Sequence, residues 1–259
     1  MFDFSQAFQD EIYQPFTWEG TKPICAILVH GFPGTPLETR PIGQILHNLG
    51  WTVHGILLPG FGIEINTLPE KTYTDWLSAV LNATNHYRPK YEKLVLVGFS
   101  MGGAISIQAT VSSDIDALLL LAPFWKIEHI LWMLLPAIRI ALPNFKPFKL
   151  FPPNFNDPEF RMVINDWLPS TDLDDPTVQA QIKDFSIPTS MINQVRIAGN
   201  HAHLSAPHIH VPTTIIQGRQ DELVKPALTQ ALVQTMNTDV NYIVVDGDHN
   251  LTDTRKPHW

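Results

Sequence analysis

Six short, mostly apolar runs recur along the chain: Pro23–His30, Trp51–Leu58, Lys93–Phe99, Asp116–Leu121, Val211–Gln217 and Val240–Val245. They are too short for helices, and Leu94–Val97 is β-branched at alternate positions, so they predict strands. The unbroken runs in Pro23–His30 and Leu94–Val97 predict strands buried on both faces, as in the centre of a parallel sheet. Between them lie stretches with helical spacing. Pro36–Leu49 places Ile42, Ile45, Leu46 and Leu49 on one face and stops at Gly50, and Thr74–Tyr87 carries Trp76, Leu77, Val80, Leu81 and Ala83. Ala104–Val111 and Pro226–Met236 predict two more helices, and residues 1–22 predict a strand or hairpin at the sheet edge. Alternation of strand and helix at crossover length implies a mostly parallel sheet with helices on both faces. The alternation breaks between Phe124 and His210, where proline and aromatic residues concentrate. We therefore expect one α/β domain, with a core of 1–123 and 211–259 and an inserted helical lid over 124–210.

Composition narrows the classes without choosing among them. A hydrophobic content of 44% in 259 residues is ample for one large core. A net charge of −8, with acidic residues spread along the chain, argues against a nucleic-acid binder. The single cysteine, Cys25, lies inside a strand run and cannot form an internal disulfide, which fits a cytoplasmic protein. The first residues have neither the basic nor the apolar region of a signal peptide, and no stretch reaches the length of a membrane span.

Chemistry enters at Gly98-Phe99-Ser100-Met101-Gly102, which fits G-x-S-x-G. A strand before it and a helix after it form the setting of a nucleophile elbow, in which glycines two residues either side of the serine allow close backbone approach. An activated serine needs a base, and the base needs an orienting acid. Site residues in such sheets follow the C-terminal ends of strands. Asp221 follows Val211–Gln217, and His249 follows Val240–Val245, giving the order Ser, Asp, His. Glu222 lies farther from its strand end than Asp221, while Asp246 and Asp248 flank the histidine and suit the turn. One oxyanion donor is expected from the Met101 N–H, and the second from the loop after Pro23–His30. Phe32 is the candidate there, because Pro33 has no N–H. His201, His203, His208 and His210 form two H-x-H pairs, but no cysteine or H-E-x-x-H accompanies them, so no metal and no cofactor is expected.

His30-Gly31-Phe32-Pro33-Gly34-Thr35-Pro36, Pro59-Gly60-Phe61-Gly62, the serine pentapeptide, Gly218-Arg219-Gln220-Asp221 and Asp248-His249 together resemble the α/β-hydrolase superfamily. Within it, the chain is most similar to bacterial carboxylesterases and monoacylglycerol lipases. The resemblance implies the α/β-hydrolase fold and a serine-esterase mechanism. Ser100, Asp221 and His249 would form the triad, with the Phe32 and Met101 N–H groups as the oxyanion hole. It also implies a last helix after the histidine, where ten residues follow His249 here.

An insertion after the Asp116–Leu121 strand would rise over Ser100. Phe124–Pro143 is strongly apolar, and Trp125, Ile130, Leu134 and Ile138 are expected to line an acyl tunnel beside Gly31. Thr177–Lys183 and Ser190–His203 are expected as further lid helices. The expected partner is a small-molecule ester with a lipophilic acyl group, together with transient contact between the lid and a membrane or micelle. A thioesterase, an acyltransferase or a non-catalytic ligand receptor are the alternatives on the same scaffold.

Overall fold

The computed structural model describes residues 4–167 and 171–256. Its strands are β1 (Phe16–Trp18), β2 (Ile24–Val29), β3 (Thr52–Ile56), β4 (Lys93–Phe99), β5 (Ala117–Leu121), β6 (Asn144–Phe145), β7 (Ile187–Pro188), β8 (Thr213–Gly218) and β9 (Val240–Val245). Seven of these form one sheet in the order β1-β3-β2-β4-β5-β8-β9. All its pairs are parallel except β1 with β3. This is the α/β-hydrolase fold, and β1 is the expected edge strand. The chain runs outward from β2 to β3 and then returns to place β4 on the other side of β2. The crevice at such a reversal is where open α/β sheets hold their ligands.

The helices are α1 (Arg40–Asn48), α2 (Tyr73–Tyr87), α3 (Met101–Ser112), α4 (Ile130–Ala141), α5 (Pro147–Leu150), α6 (Pro158–Trp167), α7 (Pro176–Asp184), α8 (Thr189–Ser205) and α9 (Pro226–Val233). The period of two along β2 explains both core layers. Cys25, Ile27 and Val29 enter the large cluster with α2, α3 and α8, whereas Ala26 and Leu28 meet Val53, Val97 and Leu46 on the opposite face.

Two expectations change here. Helix α1 does not bury Ile45 and Leu49, which are 48% and 52% exposed. A separate 3-10 segment, Pro36–Thr39, precedes it, and Gly43 lets the helix approach Leu28, Val53 and Trp18 closely. The buried face is therefore Gly43 and Leu46. Helix α8, expected over Ser190–His203 as part of a lid, packs within the main core through Met191, Val195, Ala198 and Ala202. The Gln108 amide of α3 also donates to the Ala198 carbonyl at 3.1 Å. The separate apolar cluster of the insertion is smaller: Phe155, Ile164, Leu173 and Ile182. Among the described residues, no helix is long and apolar enough to cross a membrane.

Candidate active site

Ser100 sits between β4 and α3 at φ 51°, ψ −117°, a conformation that a non-glycine residue adopts only when its surroundings impose it. Those surroundings are visible. Its N–H donates to the Leu121 carbonyl at 2.9 Å, and its carbonyl accepts from the Phe124 N–H at 3.0 Å. A Cβ on Gly98 would lie 2.6 Å from the Gly103 Cα, and one on Gly102 would lie 2.2 Å from the Val29 carbonyl oxygen. The turn is thus closed by backbone against backbone, which only glycine permits.

The tips of β8 and β9 bring Asp221 and His249 to this turn. His249 Nε2 is 3.0 Å from Ser100 Oγ, and His249 Nδ1 is 2.8 Å from Asp221 Oδ2. The tautomer follows: the Nδ1–H donates to the carboxylate, and Nε2 accepts from the serine hydroxyl. Asp221 is buried, and its Oδ1 accepts the Leu223 and Val224 N–H groups at 3.0 and 2.7 Å. Its Oδ2 also accepts from the Gln217 amide at 3.0 Å, while Thr229 Oγ1 donates to Gln217 Oε1 and so fixes which way that amide faces. Asp248 points elsewhere, accepting from the Asn250 N–H and Lys256 Nζ. Asp246 accepts from Gln220 Nε2, and Glu222 is exposed.

The loop after β2 approaches from the other side. A Cβ on Gly31 would lie 3.2 Å from the Ser100 Cβ. The Gly31 carbonyl accepts from His30 Nδ1–H at 2.8 Å and from the Gly34 N–H at 3.1 Å. The Leu58 N–H donates to His30 Nε2 at 3.1 Å, which leaves the proton on Nδ1. His30 is wholly buried, and burial lowers its pKa to about 4, so it stays neutral near pH 7. In a trans peptide the C=O and N–H point in opposite directions, so the Phe32 N–H is turned away from His30. Among the described residues, neither the Phe32 nor the Met101 N–H has a protein acceptor. From the 3-10 segment that follows this loop, Glu38 Oε2 accepts the Gly31 N–H at 3.0 Å.

This sheet, elbow and hydrogen-bonded trio coincide with a family match. The profile described as Hydrolase_4, serine aminopeptidase S33, covers residues 22–251. The chain belongs to this family of α/β-hydrolases. A carboxylesterase of Bacillus subtilis (strain 168) is 21% identical to this hydrolase over 230 residues, 87% of this chain and 83% of that one. The thermostable monoacylglycerol lipase of Bacillus sp. (strain H-257) is 31% identical over 94 residues, 36% of this chain and 37% of its own. A solved chain from LipS and LipT, described as metagenome-derived lipolytic enzymes, superposes with a TM-score of 0.73 at 19% identity. That match covers 93% of this chain and 91% of the other.

The residues expected to line the hydrolase's acyl tunnel are placed differently. Trp125 is 8% exposed; its indole N–H donates to the Leu228 carbonyl at 2.9 Å, and its ring stacks on His203 at 4.4 Å. It anchors the start of the insertion to α8 and α9. Ile130 and Leu134 are 61% and 49% exposed, and Ile138 is half-buried. Helix α4 packs inward through Leu135 and through Trp132, which meets Phe124 edge to face at 5.6 Å. Helical spacing then turns positions 130, 133, 134 and 140 outward. Of the H-x-H pairs, His201 stacks on Tyr73 and His203 on Trp125; the described residues contain no cluster suited to a metal.

The pattern of the chain does not single out Gln217, Thr229, Glu38 or the clamp made by His30. Gln217 carried a signal: it is a polar residue closing an apolar strand run, and it is wholly buried. Glu38 is the one acidic residue between His30 and Arg40.

Proposed function

We propose that this hydrolase cleaves carboxylic esters of lipophilic acyl groups through an acyl-enzyme formed on Ser100. The observation that carries the reading is the continuous hydrogen-bond chain from Ser100 Oγ through His249 to Asp221. His249 takes the serine proton as Oγ attacks the ester carbonyl, and the resulting oxyanion lies between the Phe32 and Met101 N–H groups. His249 then protonates the departing alcohol. Water, activated by the same imidazole, releases the acid and restores the serine. Asp221 keeps the imidazole in its working tautomer and stabilises the imidazolium that forms in each half-reaction. Every step uses side chains and backbone groups of this chain.

Support for a lipophilic substrate comes from α4. Its outward face carries Ile130, Met133, Leu134 and Ile140, of which Met133 and Ile140 are 74% and 80% exposed. A run of exposed apolar side chains on one helix face marks a surface that meets another apolar phase. We place a micelle or membrane surface there, which would deliver esters that water dissolves poorly.

Initial rates on p-nitrophenyl esters of increasing chain length, with a matched acyl thioester and an aminoacyl anilide, test the reading on wild type and Ser100→Ala. We expect the ester series to dominate, to rise towards medium or longer chains, and to fall about 10⁵-fold or more in the variant. Turnover that survives Ser100→Ala would sink the acyl-enzyme mechanism, and a maximum at acetate would sink the lipophilic substrate. Faster thioester or anilide cleavage would move the activity to that class. Replacing Met133 and Ile140 by serine should lower rates on micellar substrate while leaving monomeric substrate unaffected.

A further inference from the structure

We infer that Glu38 is a positioning residue of the oxyanion loop. Its carboxylate holds the Gly31 N–H so that the Phe32 N–H stays turned to the reacting carbonyl. This rests on the ester-hydrolysis reading above, and it concerns a residue outside the Ser-His-Asp trio.

Glycine has the widest backbone freedom of any residue, so a glycine in a loop keeps one conformation only if its peptide groups are held. Gly31 must be small, because a Cβ there would press on Phe99 Cδ1 and the Ser100 Cβ, both at 3.2 Å. The position therefore cannot be stiffened by a side chain of its own. Its carbonyl is held from one side by His30 Nδ1–H and the Gly34 N–H. Its N–H is held from the other side by Glu38 Oε2 at 3.0 Å. Holding both groups fixes φ and ψ at Gly31, and with them the plane of the Gly31–Phe32 peptide that carries the Phe32 N–H. The bond to Glu38 also occupies the Gly31 N–H, leaving Phe32 as this loop's donor to the oxyanion.

The carboxylate is seated for this contact. A Cβ on Gly34 would lie 2.0–2.3 Å from the Glu38 carboxyl atoms, so the side chain rests against the Gly34 backbone inside the loop. A negative charge near a forming oxyanion is unfavourable taken alone. A carboxylate there is understandable if its bond to the loop matters more, since a charge-assisted hydrogen bond is about twice as strong as a neutral one.

Two substitutions reach the same contact from opposite sides. Glu38→Ala removes the acceptor. Gly34→Ala leaves Glu38 in the chain but puts a methyl group where its carboxylate lies, displacing the free end of a flexible side chain. Each is expected to lower kcat about 30-fold with KM within about 3-fold, because misplacing a preorganised donor costs less than losing one outright, which costs about 10²–10³. The affinity of an alkyl trifluoromethyl ketone, whose adduct carries the oxyanion, should fall by the same factor as kcat. Glu38→Gln keeps an acceptor at equal reach and should recover most of the loss. The double variant Glu38→Ala/Gly34→Ala should lose no more than either single one, since both remove one contact.

Losses that add in the double variant would overturn the proposal, as would Glu38→Gln falling as far as Glu38→Ala. A fall in kcat without a matching fall in ketone affinity would overturn it too. Ser100→Ala, assayed alongside, separates the two readings. If it abolishes turnover while Glu38→Ala matches wild type, the positioning role fails and the hydrolase reading stands. If Ser100→Ala retains turnover, the underlying reading fails first.

Discussion

Ser100, Asp221 and Cys25 show how much one side chain owes to its position. Ser100 stands out in the sequence because G-x-S-x-G follows a strand run and precedes a helix. His249 and Asp221 stand out because strand ends converge on one sheet edge. Asp221 holds four hydrogen bonds, from His249, Gln217 and the Leu223 and Val224 N–H groups. Asp221→Asn would offer His249 a donor amide or the wrong tautomer. We expect kcat to fall about 10⁴-fold near neutral pH with the fold retained, measured by steady-state kinetics and a melting curve. Cys25, inside β2, is wholly buried. Burial, with a further contribution from Glu19, pushes its thiol up to about 12. A thiol reagent should leave it unmodified in the native protein and react fully in denaturant. Prompt native reaction would contradict this.

At the scale of elements, the close approaches around the elbow decide more than helix or strand propensity does. Gly102 packs the start of α3 onto the end of β2, where a Cβ would fall 2.2 Å from the Val29 oxygen and 2.4 Å from the His30 oxygen. Both neighbours are backbone, so neither can swing aside. Gly102→Ala should therefore destabilise by about 3 kcal/mol, although alanine is the better helix former, and a denaturant titration would measure it. The six parallel strands of the main sheet were legible to within a residue or two, because a buried parallel sheet needs continuous apolar runs, whereas the two-residue strands β6 and β7 carry no such run. The burial of α8 and the outward face of α4 were less legible. Both helices are apolar along much of their length, and periodicity does not say which neighbour a face will meet. That choice depends on contacts such as Gln108 with Ala198 and Trp125 with Leu228, which are far apart in sequence.

Across the whole molecule, buried ionisable groups set the response to acid. His30 titrates near 4 in the fold and near 6.5 when unfolded, because burial disfavours the imidazolium. Above pH 6.5 both states are neutral and the difference vanishes. As pH falls from 6.5 to 4, the unfolded chain binds a proton that the folded one refuses, and stability is lost by about 3 kcal/mol in all. His54, also lowered by burial, acts in the same direction. Asp116 adds a second loss at lower pH. Burial alone would raise it, but hydrogen bonds from Lys93, the Leu94 N–H and Arg88 hold it at about 2. Its stabilisation is present above pH 3.8 and disappears as pH falls towards 2. Denaturation midpoints should thus decline between pH 6.5 and 4 and more steeply below. His30→Gln should flatten the first part, and an unchanged slope would remove His30 as its cause.

The sequence by itself determined the main sheet, the elbow and the chain order that sets Ser100, Asp221 and His249 at one sheet edge. These rest on local rules: a buried strand needs an apolar run, a strained turn needs glycine, and a parallel sheet delivers strand ends to one edge. Only the tertiary structure decided what holds those residues in place. His30 against Gly31 and Leu58, Glu38 against Gly31, and Gln217 between Asp221 and Thr229 depend on side-chain direction and on backbone groups in other segments. One residue type can satisfy many such partners, so the chain order does not encode which it meets. Packing selects the partner, since a buried donor or acceptor left without one costs free energy.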